Sequence, residues 1–174
     1  MAEFKPKCGS SGIGSIPHKH YKKVVKNILE KFDFPYWPQI VKKGFIENMY
    51  VQYSEGMPCL EIDLENEKIH FNTNNDAGLY EWYEKVVNKD VDHFKMTSKR
   101  ASGFHELIKK AGKKEYLKGQ TTGPISFGLS VVDQDKKPIL YNSQFLEVIV
   151  NSLAMKAAWQ IRRLKEVSDN VIMF

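Results

Sequence analysis

Two histidines near the start of the chain are the first residues whose spacing suggests chemistry. His18 and His20 form a His-x-His pair, which can supply two ligands to a zinc ion. A zinc site needs a third protein ligand, and the sequence offers none at ligand spacing, since Cys8 and Cys59 also lack such a partner. We therefore predict that this chain binds no metal, that both cysteines are free thiols, and that His18 forms hydrogen bonds at the rim of a site.

A run of acidic residues is the second candidate for chemistry, because paired carboxylates can act as acid and base. Between Leu60 and Glu65, acidic and apolar residues alternate strictly. That alternation is typical of a strand with one face in water. The sequence therefore predicts a solvated face of an antiparallel hairpin near 60–71 rather than a catalytic cluster.

Motifs for nucleotide binding and for covalent catalysis do not occur in the sequence. Gly12 and Gly14 are not followed by the third glycine of a dinucleotide fingerprint, because Pro17 occupies that position. There is also no phosphate-binding Walker loop, no Gly-x-Ser-x-Gly elbow and no His-Glu-x-x-His motif.

The composition is that of a globular chain with a charged surface. The 174 residues are 42% hydrophobic and 27% charged, which suits a single domain spanning 1–174. The net charge of +5 comes mostly from scattered lysines, and only Arg100, Arg162 and Arg163 are arginines, the residue that base recognition favours. We predict no nucleic-acid partner. Without a long apolar run, a secretory signal or a disulfide framework, we also predict a cytoplasmic protein with no membrane partner.

The apolar periodicity predicts alternating strands and helices. A short strand over 12–17 precedes a helix with an apolar stripe from Val24 to Phe32. Further helices are predicted at 79–86 and 104–111, with Trp82 and Tyr83 in the core. A strand follows at 116–121, then a short helix, a long helix starting near Asn142, and a buried parallel strand at 170–174. This order predicts the α/β class and about four of the eight units of a (β/α)8 barrel, the N-terminal half.

Three segments resemble parts of one enzyme superfamily. Residues 12–18, Gly-Ile-Gly-Ser-Ile-Pro-His, resemble the Ile-Gly-Ser-Phe-Pro opening strand of cobalamin-independent methionine synthases. Residues 118–125 resemble that family's Lys-Gly-x-x-Thr-Gly-Pro-Val-Thr segment at the third strand, and 157–160 with 171–174 resemble the next helix and strand. The similarity covers nearly the whole chain. It points most closely to the methyltransferase-like branch of the uroporphyrinogen decarboxylase/methionine synthase superfamily.

The resemblance implies a TIM barrel whose ligand site lies at the carboxyl ends of the strands. It implies methyl transfer to a thiol such as homocysteine, from a folate or corrinoid donor, with zinc activating the thiol. The family's zinc ligands lie in the second half of the barrel. This chain alone is therefore expected to bind no cofactor and to be inactive.

The resemblance also assigns substrate-contacting positions to residues of this sequence. The opening strand supplies Ile13, Gly14 and Ser15, and the third strand end supplies Gln120, Gly123 and Pro124. His18 completes the predicted substrate-binding set. Gln39 and Glu47 are both candidates for the group that pairs with a substrate amine.

Two other functions, and the association of this chain with a second copy of itself, stay open at this stage. A decarboxylase of uroporphyrinogen type would need cationic clamps, for which the three arginines are the candidates. A non-catalytic binding module could use Tyr80, Trp82 and Tyr83 as a stacking platform. A half barrel leaves strand edges uncovered, so self-association is expected.

Overall fold

The structure is a computed structural model that describes residues 7–174. Residues 1–6 lie outside this described part. The helices are α1 (Tyr21–Lys31), α2 (Met49–Tyr53), α3 (Leu79–Val87), α4 (Ser102–Lys110), α5 (Pro124–Ser130) and α6 (Ser143–Leu164). The strands are β1 (Leu60–Asp63), β2 (Lys68–Phe71), β3 (Lys114–Gly119), β4 (Val132–Asp133) and β5 (Ser168–Met173). The predicted α/β class is confirmed.

Four extended pieces of chain lie side by side in a parallel layer. β3 pairs with β5 in parallel, with Tyr116 opposite Asn170. Residues 34–40, here called the second segment, form a parallel bridge to β3 between Tyr36 and Lys118. Residues 12–16, the first segment, form a parallel bridge to the second segment through Ser15. The spatial order of these four pieces is therefore their order along the chain. Each of the three connections between consecutive pieces contains a helix, namely α1 in the first, α4 in the second and α6 in the third.

The predicted antiparallel hairpin is confirmed at 60–71. β1 pairs with β2 so that Leu60 faces Phe71 across the ladder. The acidic side chains of β1 are exposed, as the alternation predicts, and Glu61 pairs with His70 at 3.2 Å. β4 adds a parallel third strand beside β2.

Aromatic residues from three elements form the centre of the main core. The rings of Trp37 and Phe104 meet edge to face at 5.8 Å, and those of Phe104 and Trp159 lie 4.9 Å apart. The predicted stripe of α1 is confirmed, since Val24, Val25 and Ile28 are its buried residues. Large apolar contacts of this kind supply most of the favourable free energy of folding.

Two expectations about burial are wrong. Trp82 is in the core, but Tyr83 is 55% exposed, because neighbouring residues of a helix point about 100° apart and only one of them faces the protein. The last strand is parallel, as expected, yet it is not buried. Within the described part of the chain β5 pairs only with β3, its side chains from Asn170 to Met173 are half-buried, and Phe174 is 70% exposed.

α6 is the longest helix, and its predicted start is confirmed. The Asn142 side chain accepts a hydrogen bond from the backbone N–H of Phe145 at 3.3 Å, which caps the first turn. Between residues 7 and 174, no helix combines the length and the apolar character that crossing a bilayer requires.

A buried lysine on α6 holds two loops against that helix. Lys156 is 0% exposed, and its ammonium group donates hydrogen bonds to the carbonyl oxygens of Phe94, at 2.9 Å, and of Glu55. Burial lowers the pKa of Lys156 to about 7; the Glu55 carboxylate partly offsets this effect and Arg100 adds to it. A neutral amine still has two N–H donors for the same carbonyls, so deprotonation keeps both bonds.

This lysine should make the protein more stable in mildly alkaline solution. The unfolded chain, with a lysine pKa of about 10.4, binds more protons between pH 7 and 10 than the folded chain does. The free energy of unfolding should therefore rise by roughly 2 kcal/mol between about pH 7 and 9. Urea denaturation at several pH values measures this increase in the free energy of unfolding. Lys156→Gln keeps an N–H donor but does not titrate, so equal pH slopes in both proteins would contradict the assignment.

Candidate functional site

The carboxyl ends of the parallel pieces meet at one edge of the layer. Because the four pieces run in the same direction, the first segment, β3 and β5 end close together there. The backbone N–H of Thr121 donates to the carbonyl of Phe174 at 2.8 Å, so pairing continues past the end of both strands. In parallel α/β structures this edge is where ligands bind.

Gln120 joins three of the four pieces with one side chain. Its Oε1 accepts a hydrogen bond from the Gly14 N–H at 2.8 Å, and its Nε2 donates to the Trp37 carbonyl at 3.3 Å. The Tyr53 hydroxyl donates to the backbone carbonyl of Gln120, and burial raises the pKa of that hydroxyl. Gln120 is 5% exposed. Its amide is therefore engaged with the protein, where it positions the first segment.

Lys118 lies two residues earlier and points to the same face of β3. Its Nζ donates to the Gly12 carbonyl at 3.1 Å and lies 4.3 Å from the centre of the Phe174 ring. Burial lowers the pKa of this lysine. Sequence reasoning did not select Lys118 as a site residue. Its separation of two residues from Gln120, which places both side chains on one strand face, was the available signal.

The remaining predicted site residues lie at the surface around this contact. Ile13 is 56% exposed, and Ser15, Gly123 and Pro124 are also exposed. A methyl group added at Gly123 would meet no atom within 4 Å, so the space beside it is open. These four residues can therefore be reached by a ligand, whereas the side chain of Gln120 is covered.

His18 lies in a different place from the other predicted residues. It lines a cavity of about 340 Å³ beside α1, together with His20, Lys23, Val24 and Asn27. The structure brings the two histidines to one cavity, but that cavity includes none of the residues around Gln120. The prediction that His18 lies at the rim of the same site receives no support from this placement.

The two candidates for the amine-pairing group are both engaged inside the protein. Gln39 is buried, and its Nε2 donates to Oε1 of Gln52 at 2.6 Å. Glu47 is fully buried and accepts hydrogen bonds from the N–H of Ile40 at 3.3 Å and from Lys43 at 3.0 Å. It also accepts from the N–H and hydroxyl of Ser102, at the start of α4. Glu47 thus fixes a loop and a helix N-terminus rather than facing a ligand.

Within residues 7–174, no three His, Cys, Asp or Glu side chains lie close enough together to hold a metal ion. No protein-family model matches the chain, and neither a curated protein nor a solved structure matches it.

Removing the Gln120 amide should loosen the first segment. Gln120→Leu keeps the volume but leaves the Gly14 N–H and the Trp37 carbonyl without partners, which should cost about 1–3 kcal/mol of unfolding free energy. Urea denaturation gives this value, and hydrogen exchange of the Gly14 amide should accelerate. Gln144→Leu, at an exposed position of α6, is the matched control and should have little effect. Equal effects of both substitutions would show that the Gln120 contact does not hold the segment.

Proposed function

We propose that this chain forms the first half of a β/α barrel and supplies one wall of a substrate pocket. The parallel order of the first segment, the second segment, β3 and β5 supports this proposal, because consecutive βα units of a barrel pair in chain order. The helices in the three connections support it as well.

The single observation that carries the proposal is the contact between β3 and the first segment across the second segment. In a flat sheet, two strands separated by a third lie roughly 9.5 Å apart. A glutamine side chain is too short to span that distance, yet Gln120 bonds to Gly14 at 2.8 Å. Lys118, whose side chain is longer, also reaches the Gly12 carbonyl. The Gln120 contact thus supports a curved layer, of the kind that closure into a barrel requires.

The chemistry that we propose for the complete barrel is methyl transfer to a thiol such as homocysteine, from a folate or corrinoid donor. Its support is the similarity of residues 12–18 and 118–125 to methionine synthases, together with their meeting at one edge. In that family zinc activates the thiol. The described residues do not fit a zinc ion, so the role proposed for this chain is to bind and orient the amino-acid substrate. Gly14 and Gly123 suit that role, because a residue without a side chain lets a ligand approach the backbone.

A decarboxylase of uroporphyrinogen type is less well supported, because all three arginines already have partners. Arg100 donates to the Val51 carbonyl and to the Ser54 hydroxyl. The other two form ion pairs at the surface, Arg162 with Asp92 and Arg163 with Glu166. A tetrapyrrole carboxylate would have to displace these groups before it could bind an arginine.

A stacking platform for bases is also less well supported. Trp82 is buried, and its indole N–H donates to the Ser152 hydroxyl at 2.9 Å. A base therefore cannot stack on this ring, which leaves Tyr80 and Tyr83 without the central member of the predicted platform.

A reducing, cytoplasmic setting is part of the proposal. Cys8 and Cys59 are both free thiols, and no disulfide joins them. Burial raises the pKa of Cys59, which disfavours the reactive thiolate form.

Binding of a thiol amino acid tests the proposed wall. Adding L-homocysteine should shift the backbone NMR signals of Gly14, Ser15 and Gly123 in a saturable way. Gly123→Val fills the open space beside that residue and should weaken the titration several-fold. Ala154→Val, at an exposed position of α6, is the control. No shifts, or shifts centred on other residues, would overturn the proposal.

Self-association through β5 is a second consequence of an open layer. The outer edge of β5 has no strand beside it in the described structure, and exposed strand edges pair with other chains. Light scattering should show a mass that increases with concentration. Ile172→Lys places a charge on β5 and should reduce association, whereas Tyr141→Lys, at a residue exposed elsewhere, should not. A monomer at all concentrations would contradict this expectation.

A further inference from the structure

A long groove runs across the loops that follow the parallel pieces. It consists of two adjoining cavities of about 470 Å³ each, which share Phe45, Asn48 and Glu67. The loop after the first segment contributes Lys19. The connection after the second segment contributes residues between 41 and 50 and the hairpin residues 67–70, and the connection after β3 contributes residues between 130 and 136. We call this feature the loop groove. It lies on the side where the parallel pieces end, which is the ligand-binding side of β/α structures.

The rim of the loop groove carries more positive than negative charge. Four lysines line it, and within the part of the chain that the structure describes none of them lies in a salt bridge. They are Lys19, Lys42, Lys68 and Lys136. The lining also holds two carboxylates, those of Glu67 and Asp133, and Lys68 lies opposite Asp63 across the hairpin. Four lysines against two carboxylates give the lining a formal charge of +2, so the groove attracts anions.

The wall between these charges is apolar and carries hydroxyl groups. Phe45, Ile69 and Val132 are half-buried residues of the groove lining. The Tyr50 ring also lines the groove, and its hydroxyl accepts a hydrogen bond from Ser130 at 2.8 Å. Such a surface suits a flat or apolar body, because half-buried rings and branched side chains gain free energy when a ligand removes them from water.

We propose that the loop groove binds a small molecule that carries two or more anionic groups on a flat, apolar body. The lysines at both ends contact the anionic groups, and the lining residues contact the body. The inference deepens the proposed function by naming a ligand class for the same side of the layer. It rests on the proposed function in one respect only, namely that this side of the layer is the ligand-binding side. The charge, the lining residues and the volume are properties of the groove itself.

Three simple anions test the ligand class by calorimetry. Trimesate is a planar benzene tricarboxylate, tricarballylate is its flexible aliphatic counterpart, and tripolyphosphate is an anion without an apolar body. Trimesate should bind about tenfold more tightly than tricarballylate, because only trimesate buries a ring against the lining. Its affinity should fall between about 0.05 M and 0.5 M salt, as expected for exposed charges. If tricarballylate or tripolyphosphate binds as tightly as trimesate, the proposed ligand class is wrong.

A second lysine-lined cavity provides the matched control for position. The cavity of about 490 Å³ between α1 and α4 is lined by Lys22, Lys26, Lys110 and Lys114. Lys42→Gln with Lys136→Gln should weaken trimesate binding about fivefold. Lys22→Gln with Lys110→Gln removes the same charge and should leave binding unchanged. Equal losses in both double variants would show unspecific attraction to lysines and overturn the proposal.

The trimesate experiment and the L-homocysteine experiment can fail independently of each other. None of the residues proposed to sense L-homocysteine, namely Gly14, Ser15 and Gly123, lines the loop groove. Trimesate binding without homocysteine shifts would therefore support the groove and count against the pocket wall, and the reverse result would do the opposite.

Discussion

The meeting of the parallel pieces at one edge depends on two side chains at the end of β3 that reach across a neighbouring piece of chain. Gln120 bonds to the first segment and to the second segment at once, and Lys118 adds a second bond to the first segment. Each of these groups is covered or half-covered, so an unmade bond would carry a desolvation cost. Backbone hydrogen bonds join the first segment to the second segment, from Ile16 N–H to the Gln39 carbonyl at 2.9 Å and from Gln39 N–H to the Gly14 carbonyl at 3.3 Å. Gln120 and Lys118 add side-chain bonds that connect it to the end of β3, so they contribute to the shape of the candidate site.

Two ionisable residues in the interior have a common role, which is to attach irregular loops to helices. Lys156 joins the loops at Glu55 and Phe94 to α6, and Glu47 joins the loop at Ile40 to the start of α4. Loops of this kind contain backbone groups that no helix or strand satisfies. A buried charge is costly unless it is fully hydrogen-bonded, and here the backbone groups of the loops provide those bonds. The loops at Ile40, Glu55 and Phe94 are thus attached to the helices by buried ionisable side chains.

Sequence patterns predicted those elements of the fold whose formation depends on residues close together in the chain. Strict alternation located the hairpin, apolar spacing located α1, and the capping side chain of Asn142 located the start of α6. The burial of β5 and of Tyr83 was not predictable in this way, since it depends on which other elements cover them. The role of Gln120 was also not predictable from the sequence. Its partner Gly14 is 106 positions away, and sequence spacing carries no information about whether an amide faces a ligand or another strand.

The same geometry explains why the site residues differ so much in accessibility. The side chain that positions the first segment must be buried to be effective, so Gln120 cannot also be a freely accessible ligand contact. Contacts with a ligand must then come from groups that Gln120 leaves uncovered, such as the exposed residues Ser15 and Gly123 and the open space beside the latter. Exposed backbone and small side chains bind weakly on their own, because water competes for the same hydrogen bonds. A tight site at this edge therefore requires further surface to exclude water, and the outer edge of β5, which the described residues leave uncovered, is where such surface can join the layer.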